Sequence, residues 1–219
     1  MGMFVRKTLG IFGGTFDPIH LGHLRLALEL KQQLSLDEMR LIPGHKPPHR
    51  EQPQVSSVQR LKMLQLALRD CPELQWDDRE LNREKNSYTY DTLLELRKEF
   101  GSDISLVLCM GEDAFAGIST WYCWQELIRL AHIVVIVRPG WAIPDQGDVR
   151  NFLKQHQGVA ADLQHYPAGK IVMQSLRLLP VSATEIRQQI ARGESPQFLL
   201  PDAVWKFIRE NRLYLSSSI

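Results

Sequence analysis

Thr8-Leu9-Gly10-Ile11-Phe12-Gly13-Gly14-Thr15-Phe16-Asp17-Pro18-Ile19-His20-Leu21-Gly22-His23 reads as a strand, a glycine turn and the opening of a helix. Thr8 to Phe12 is the strand, and it stops at Gly13-Gly14. Leu21 to Leu34 then carries apolar side chains at Leu21, Leu24 and Leu28, and also at Leu26, Ala27, Leu30 and Leu34. That is helical spacing with a wide apolar face. In an open parallel sheet, ligands bind beyond the carboxyl ends of the strands. Backbone N–H groups in a glycine turn and in the first helical turn can hold an anion. Position alone therefore points to phosphate at this turn.

The same alternation continues along the chain. Met39 to Ile42 is a short strand stopped by Pro43, and Ser57 to Leu68 a helix with Leu61, Leu64 and Leu68 in helical register. Leu74 to Trp76 reads as a short strand, and Thr89 to Phe100 as a helix ended by Gly101. Ile104 to Met110 and His132 to Val137 are continuous apolar runs, as strands buried on both faces require. Lys170 to Gln174 suits a last strand, and helices come after it near Thr184 to Ala191 and Asp202 to Glu210. Strand and helix alternating in this way predict an α/β fold, a doubly wound parallel sheet flanked by helices, with a small helical portion at the carboxyl end. Residues 1–219 are expected to form one domain, with the helices from about 182 packed on it. Trp141 to Pro167 is the least readable stretch, an inserted helical or loop segment.

Composition narrows the function classes. Of 219 residues, 44% are apolar and 23% charged, enough to bury a core and too apolar for disorder. Lys plus Arg is 26 against 25 for Asp plus Glu, a net charge of +1. A protein whose main partner is duplex nucleic acid carries a large basic excess, so nucleic acid is not the expected partner. Cys71, Cys109 and Cys123 are odd in number and form no CxxC, which suits a reducing compartment. The run Leu130 to Val137 is eight residues long, whereas a membrane-spanning helix needs about 20. The amino terminus lacks the apolar stretch and cleavage site of a signal peptide. Arg6 stands where a myristoylation signal wants Ser or Thr. A soluble cytoplasmic protein without a membrane partner is expected.

The glycines Gly10, Gly13 and Gly14 do not fit the GxGxxG dinucleotide fingerprint, and no Gly-Lys-Ser/Thr comes next to make a Walker loop. The turn leads instead into His-x-Gly-His. His20 and His23 are three apart, so on a helical turn they share a face. Gly22 between them leaves room for a ligand against the backbone. Free imidazole has a pKa of about 6.5, and a polyphosphate beside the pair favours its charged form. The pair could instead ligate zinc, though no third ligand stands close in sequence, or lie as ordinary surface histidines.

The run Gly13 to His23 resembles the (T/H)xGH signature of the nucleotidyltransferase superfamily related to class I aminoacyl-tRNA synthetases. In particular it resembles the bacterial nicotinate mononucleotide adenylyltransferases. The resemblance extends over nearly the whole chain and implies a Rossmann-like fold. It implies ATP binding by Gly13, Gly14, Thr15, Phe16, His20, Gly22 and His23. Val181-Ser182-Ala183-Thr184-Glu185-Ile186-Arg187 resembles the family's (I/S)SxTxxR motif. Taken by itself it is equally a capping box, with Ser182 as N-cap and Glu185 three residues on. With His-x-Gly-His present, Ser182, Thr184 and Arg187 are expected around the ATP phosphates, Arg187 in bidentate fashion. Gly111-Glu112-Asp113 resembles the family's GxD, with Asp113 accepting from ribose hydroxyls, and Arg138 ends the next strand near the adenosine phosphates.

The second substrate is marked by three further segments. Pro43-Gly44-His45-Lys46-Pro47-Pro48-His49-Arg50 resembles the family's PPH(K/R) loop, which implies phosphate contacts from Lys46 and His49; a solvated basic loop is the alternative. Its prolines prevent a helix, so His45 and His49 are no i, i+4 metal pair. Tyr88-Thr89 and Trp121-Tyr122 match the family's pyridine-nucleotide pocket, and Gly14 and Thr15 are expected to border it. An aromatic face suits a flat pyridine ring, and a hydroxyl such as that of Thr89 suits its carboxylate. Thr89 could also be the N-cap of its helix, and the Trp-Tyr pair plain core.

The reaction the resemblance implies is adenylyl transfer from ATP to nicotinate mononucleotide, with His20, His23, Lys46 and Arg187 as catalytic residues. Magnesium is expected on the ATP phosphates, without an all-protein metal cage. Transfer to phosphopantetheine, cytidylyl transfer, or a nucleotide sensor without turnover are the alternatives. The chain is expected as a monomer or small homo-oligomer.

Overall fold

The computed structural model describes residues 5–45, 53–83, 86–138 and 146–215. Six strands form one sheet: β1 (Lys7–Gly14), β2 (Glu38–Pro43), β3 (Gln75–Trp76), β4 (Ile104–Gly111), β5 (His132–Val137) and β6 (Ile171–Ser175). Their spatial order is β3-β2-β1-β4-β5-β6, and every neighbouring pair is parallel. The helices among the described residues are α1 (Leu21–Gln33), α2 (Ser57–Leu68), α3 (Thr89–Phe100), α4 (Glu112–Ala116), α5 (Leu127–Leu130), α6 (Asp148–His156), α7 (Asp162–His165), α8 (Ala183–Ala191) and α9 (Asp202–Glu210). Strand order reverses between β1 and β4, the place where a doubly wound sheet opens a crevice at its carboxyl edge.

The period of two along β4 shows why the sheet is buried on both faces. Val107 and Cys109 face one core with Phe12, Met39 and Leu41, under Ala27 and Leu30 of α1 and Met63 and Leu64 of α2. Leu106, Leu108 and Met110 face the other, with Leu9, Ile11 and Ile133, under Leu93 and Leu96 of α3 and Phe152 and Leu153 of α6. Ile186 of α8 and Val204 and Ile208 of α9 join the first core, so the last helices close the same layer as α1 and α2. No helix among the described residues is long and apolar enough to cross a membrane.

Local signals explain the boundaries. Ser56 caps α2: its Oγ accepts from Gln59 N–H at 3.3 Å, and Gln59 Oε1 accepts from Ser56 N–H at 3.0 Å. The first strand runs on through Gly13-Gly14, pairing Gly14 with Pro43. The segment 141–167, least readable in the sequence, takes the helical of its two expected forms where it is described. Its described part holds α6 and α7, which join β5 to β6 and send Phe152, Leu153 and Leu163 into the two cores. Val149, Phe152 and Leu153 are the apolar residues of α6, a single i, i+3, i+4 set. At α3 the N-cap is Tyr88 (φ −107°, ψ 143°), and Thr89 is already the first helical residue. The capping role open to Thr89 in the sequence therefore falls to its neighbour, which makes no side-chain cap bond.

Candidate functional site

The turn after β1 is held from several sides. Phe16 sits in the left-handed region (φ 49°) and is fully buried. A Cβ at Gly14 would stand 2.6 Å from the Phe16 ring, so glycine is what lets the ring fold back beneath the turn. Arg60, buried on α2, donates through Nη1 to the carbonyls of Thr15 and Gly44, both at 2.7 Å, and through Nη2 to that of His45 at 3.1 Å. One planar guanidinium thus ties the glycine turn to the segment after β2. Burial pushes the Arg60 pKa down, and the nearby Asp17 carboxylate opposes it.

His20 is the N-cap of α1, with extended backbone (φ −144°, ψ 171°), and His23 lies three residues on in the first turn. Their rings nevertheless stack, centroids 3.7 Å apart and 25° from parallel. His20 Nδ1 accepts from His23 N–H at 3.4 Å, which leaves the neutral tautomer's proton on Nε2. A Cβ at Gly22 would lie 3.0 Å from the His20 ring and 3.4 Å from the Val181 carbonyl oxygen. The room that Gly22 leaves is therefore filled by His20. Phe16 packs edge-on to His23 at 5.1 Å. Burial lowers the His20 pKa to about 4, and burial together with His20 holds His23 well below the ordinary value. Both imidazoles are neutral at pH 7 in this structure, opposite to the charged form that a polyphosphate alone would favour. His23 Nδ1 is buried without a hydrogen-bond partner among the described residues.

A cleft of about 860 Å³ opens over the carboxyl edge of β1 and β4. One end is walled by Gly13, Gly14, Thr15, Phe16, Asp17, His23, Thr184 and Arg187. Ser182 caps α8: its Oγ accepts from Glu185 N–H at 3.2 Å and donates to Glu185 Oε2 at 3.0 Å, so both reach the helix end and not the cleft. Arg187 Nη1 donates to the Asp17 carbonyl at 2.7 Å, while its Nε is buried with no hydrogen-bond partner among the described residues. Asp17 itself is buried: Oδ1 accepts from Tyr214 OH at 2.7 Å and Oδ2 from Gln54 N–H at 2.9 Å.

Gly111 and Asp113 border the cleft where β4 meets α4, with Asp113 exposed. Buried Glu112 crosses to β5, its Oε2 accepting from Arg138 N–H at 2.9 Å and its Oε1 lying 3.7 Å from the exposed Arg138 guanidinium. At the other end stand Tyr88, Thr89, Trp121 and Tyr122. Tyr122 lies against Tyr88 (4.8 Å) and edge-on to Tyr90 (5.9 Å), an aromatic corner half open to solvent. Below it, Thr92 Oγ1 donates to Glu80 Oε1 at 2.6 Å, and burial pushes the Glu80 pKa up. Among the described residues no three of His, Cys, Asp and Glu gather into a metal cage.

Most residues singled out in the sequence therefore share one cleft: Gly13, Gly14, Thr15, Phe16, His23, Tyr88, Thr89, Gly111, Asp113, Trp121, Tyr122, Arg138, Thr184 and Arg187. His20, Gly22 and Ser182 stand behind its wall. Lys46 and His49 lie outside the described residues. Sequence motifs assigned nothing to Arg60, Asp17, Glu112, Glu80 or Tyr214. Arg60 had a signal, a charge in helical register with buried Met63 and Leu64. Tyr214 had none, because its partner is 197 residues away.

The cytidylyltransferase-like family model matches residues 11–189. A protein of Cellvibrio japonicus (strain Ueda107), described as a probable nicotinate-nucleotide adenylyltransferase, is 61% identical over 210 residues, 96% of this chain and 100% of its own length. One of Hahella chejuensis with the same description is 48% identical over 206 residues, 93% of this chain and 94% of its own. Among solved structures, the Plasmodium falciparum nicotinic acid mononucleotide adenylyltransferase complexed with NaAD superposes with a TM-score of 0.73. That match covers 95% of this chain and 97% of the other at 17% identity, a likeness of fold.

Proposed function

The chain belongs to the cytidylyltransferase-like family and, within it, to the nicotinate-nucleotide adenylyltransferases, and from that premise we propose that it joins ATP and nicotinate mononucleotide to make nicotinate adenine dinucleotide in NAD biosynthesis. The observation that carries the reading is the continuity of one cleft from the glycine turn, His23 and Arg187 to the aromatic corner at Tyr88 and Trp121. Two substrates can meet there end to end.

A phosphate oxygen of nicotinate mononucleotide attacks the α-phosphorus of ATP in line. The new P–O bond forms as the bond to the bridging oxygen breaks, and pyrophosphate leaves with that electron pair. A phosphate monoester is ionised and nucleophilic at pH 7, so no general base and no covalent enzyme intermediate are required. Catalysis is positioning plus stabilisation of charge on the α-phosphate and leaving group. His23, with an unpaired buried ring nitrogen, donates to the phosphates, and His20 is its stacked partner. Arg187 and Lys46 steady the pyrophosphate. Gly13 to Phe16, Gly111, Asp113, Arg138 and Thr184 line the ATP side, while behind the wall Gly22 makes room for the His20 ring and Ser182 caps α8. Lys46, His49, Tyr88, Thr89, Trp121 and Tyr122, with Gly14 and Thr15, receive the pyridine nucleotide. A divalent ion enters with ATP, as part of that substrate, and we take it to be magnesium. We place the enzyme in the cytoplasm, where its three free cysteines stay reduced.

The test is pyrophosphate release with ATP and magnesium, offering nicotinate mononucleotide, nicotinamide mononucleotide and phosphopantetheine in parallel. We expect fast release with nicotinate mononucleotide and none with phosphopantetheine. Equal use of the two pyridine nucleotides would keep the chemistry and remove Thr89 from acid selection. Turnover with phosphopantetheine alone would overturn the assignment of the aromatic corner.

A further inference from the structure

The turn at Asp17 is a junction. Its carbonyl holds Arg187 on α8 at 2.7 Å, and its Oδ2 takes the Gln54 N–H at 2.9 Å. Its Oδ1 takes the Tyr214 hydroxyl at 2.7 Å, in a contact buried on both sides. Asp17 also borders the cleft, three residues before His20 and one after the left-handed Phe16. A left-handed non-glycine residue persists only where its surroundings over-determine it. The bonds that fix the next residue, Asp17, come from α8, from the chain before α2 and from the far carboxyl end.

An aspartate in the wall of a phosphate site poses an electrostatic problem. Its charge repels an incoming triphosphate in any case, and an oxygen left free would also compete for the arginine that should meet the phosphates. Tyr214 answers this for Oδ1. Its ring is buried, and the phenol pKa is pushed up by burial and by the Asp17 charge, so the hydroxyl keeps its proton and donates. With both carboxylate oxygens engaged, Asp17 meets Arg187 through its backbone carbonyl.

We propose that Tyr214 is a positioning residue for adenylyl transfer: its hydroxyl orients Asp17 and, through the Asp17 carbonyl, the Arg187 guanidinium that receives the ATP phosphates. The inference rests on the adenylyl-transfer reading and adds a device to it. The carboxyl end of the chain completes the phosphate site without touching substrate.

Tyr214→Phe removes the hydroxyl and keeps the ring in the core. The control is Leu153→Ala on α6, in the opposite layer, which lowers stability without approaching the turn. Both are assayed by pyrophosphate release from ATP and nicotinate mononucleotide well below their melting temperatures. For Tyr214→Phe we expect kcat to fall about tenfold, the KM for ATP to rise, and the KM for nicotinate mononucleotide to stay within about twofold. Leu153→Ala should keep wild-type kcat while losing at least as much in Tm. The Tyr214→Phe defect should shrink when combined with Asp17→Ala, which removes the acceptor of the same bond. Wild-type kinetics in Tyr214→Phe would overturn the proposal. So would a loss matched by Leu153→Ala at equal Tm, or full multiplication of the Tyr214→Phe and Asp17→Ala effects. Failure of the wild-type protein to release pyrophosphate is a separate outcome; it would remove the adenylyl-transfer reading, and this inference with it.

Discussion

At His23 the site comes down to one ring. It is half-buried between Phe16 and His20 and neutral, and its Nδ1 is buried with no hydrogen-bond partner among the described residues. A donor preorganised in a dry wall needs no reorganisation as charge develops, which is why it acts more strongly than the same group in water. His23→Ala should lower kcat about 100-fold, or ~3 kcal/mol, while Tm stays close to wild type. Steady-state kinetics beside a thermal melt checks both, and near-wild-type turnover in a folded variant would take His23 out of the mechanism. The residue types at this site were legible because two imidazoles three apart beside a glycine turn have few uses. Their neutrality was not, because it depends on burial by Phe12 and Phe16 and on the close stack of the two rings.

The element that governs the turn is α2. Its boundaries were legible in apolar spacing and in Ser56, but its use was not. Arg60 occupies a core-facing position with Met63 and Leu64, and its fork holds three carbonyls on two loops. Arg60→Ala would leave those carbonyls without their donor in a buried place, at a cost of about 3 kcal/mol. Arg60→Lys should fall between, since an ammonium cannot reproduce the planar fork. Urea unfolding at constant m-value measures the two, and an unchanged midpoint in Arg60→Ala would show the loops to be held by other contacts. By contrast α6 was hard to read at this scale, because nine residues with three apolar positions and a glycine N-cap give little local signal.

For the whole molecule, the buried histidines set the acid side of stability. His20 and His23 are depressed mainly by burial. Burial also depresses His132, locked between Tyr166 O at 2.8 Å and Lys170 N–H at 3.1 Å, although its bond to Tyr166 O opposes the shift. Above about pH 6.5 these groups are neutral folded and unfolded, and contribute nothing to the slope. As pH falls from about 6.5, the unfolded chain takes up protons that the folded one refuses, so stability is lost progressively toward the folded His20 value of about 4. Glu80, raised by burial, acts with the opposite sign over its own range, one group against three. Urea midpoints should therefore be lower at pH 5 than at pH 7. Equal midpoints would mean that the imidazoles open to solvent before they protonate.

Apolar periodicity and turn chemistry are local properties, so the sequence alone determined the alternating elements, the parallel α/β sheet and the glycine turn that would meet phosphate. Most of the residues that the family motifs marked line the cleft, a placement that the resemblance implied. Tertiary structure decided what passes between distant segments. It laid Arg187 of α8 against the carbonyl of Asp17, 170 positions away in the chain. It brought Tyr214 to Asp17 and Arg60 to three carbonyls. Such contacts depend on which surfaces meet once the layers close on the sheet, and no spacing along the chain records that.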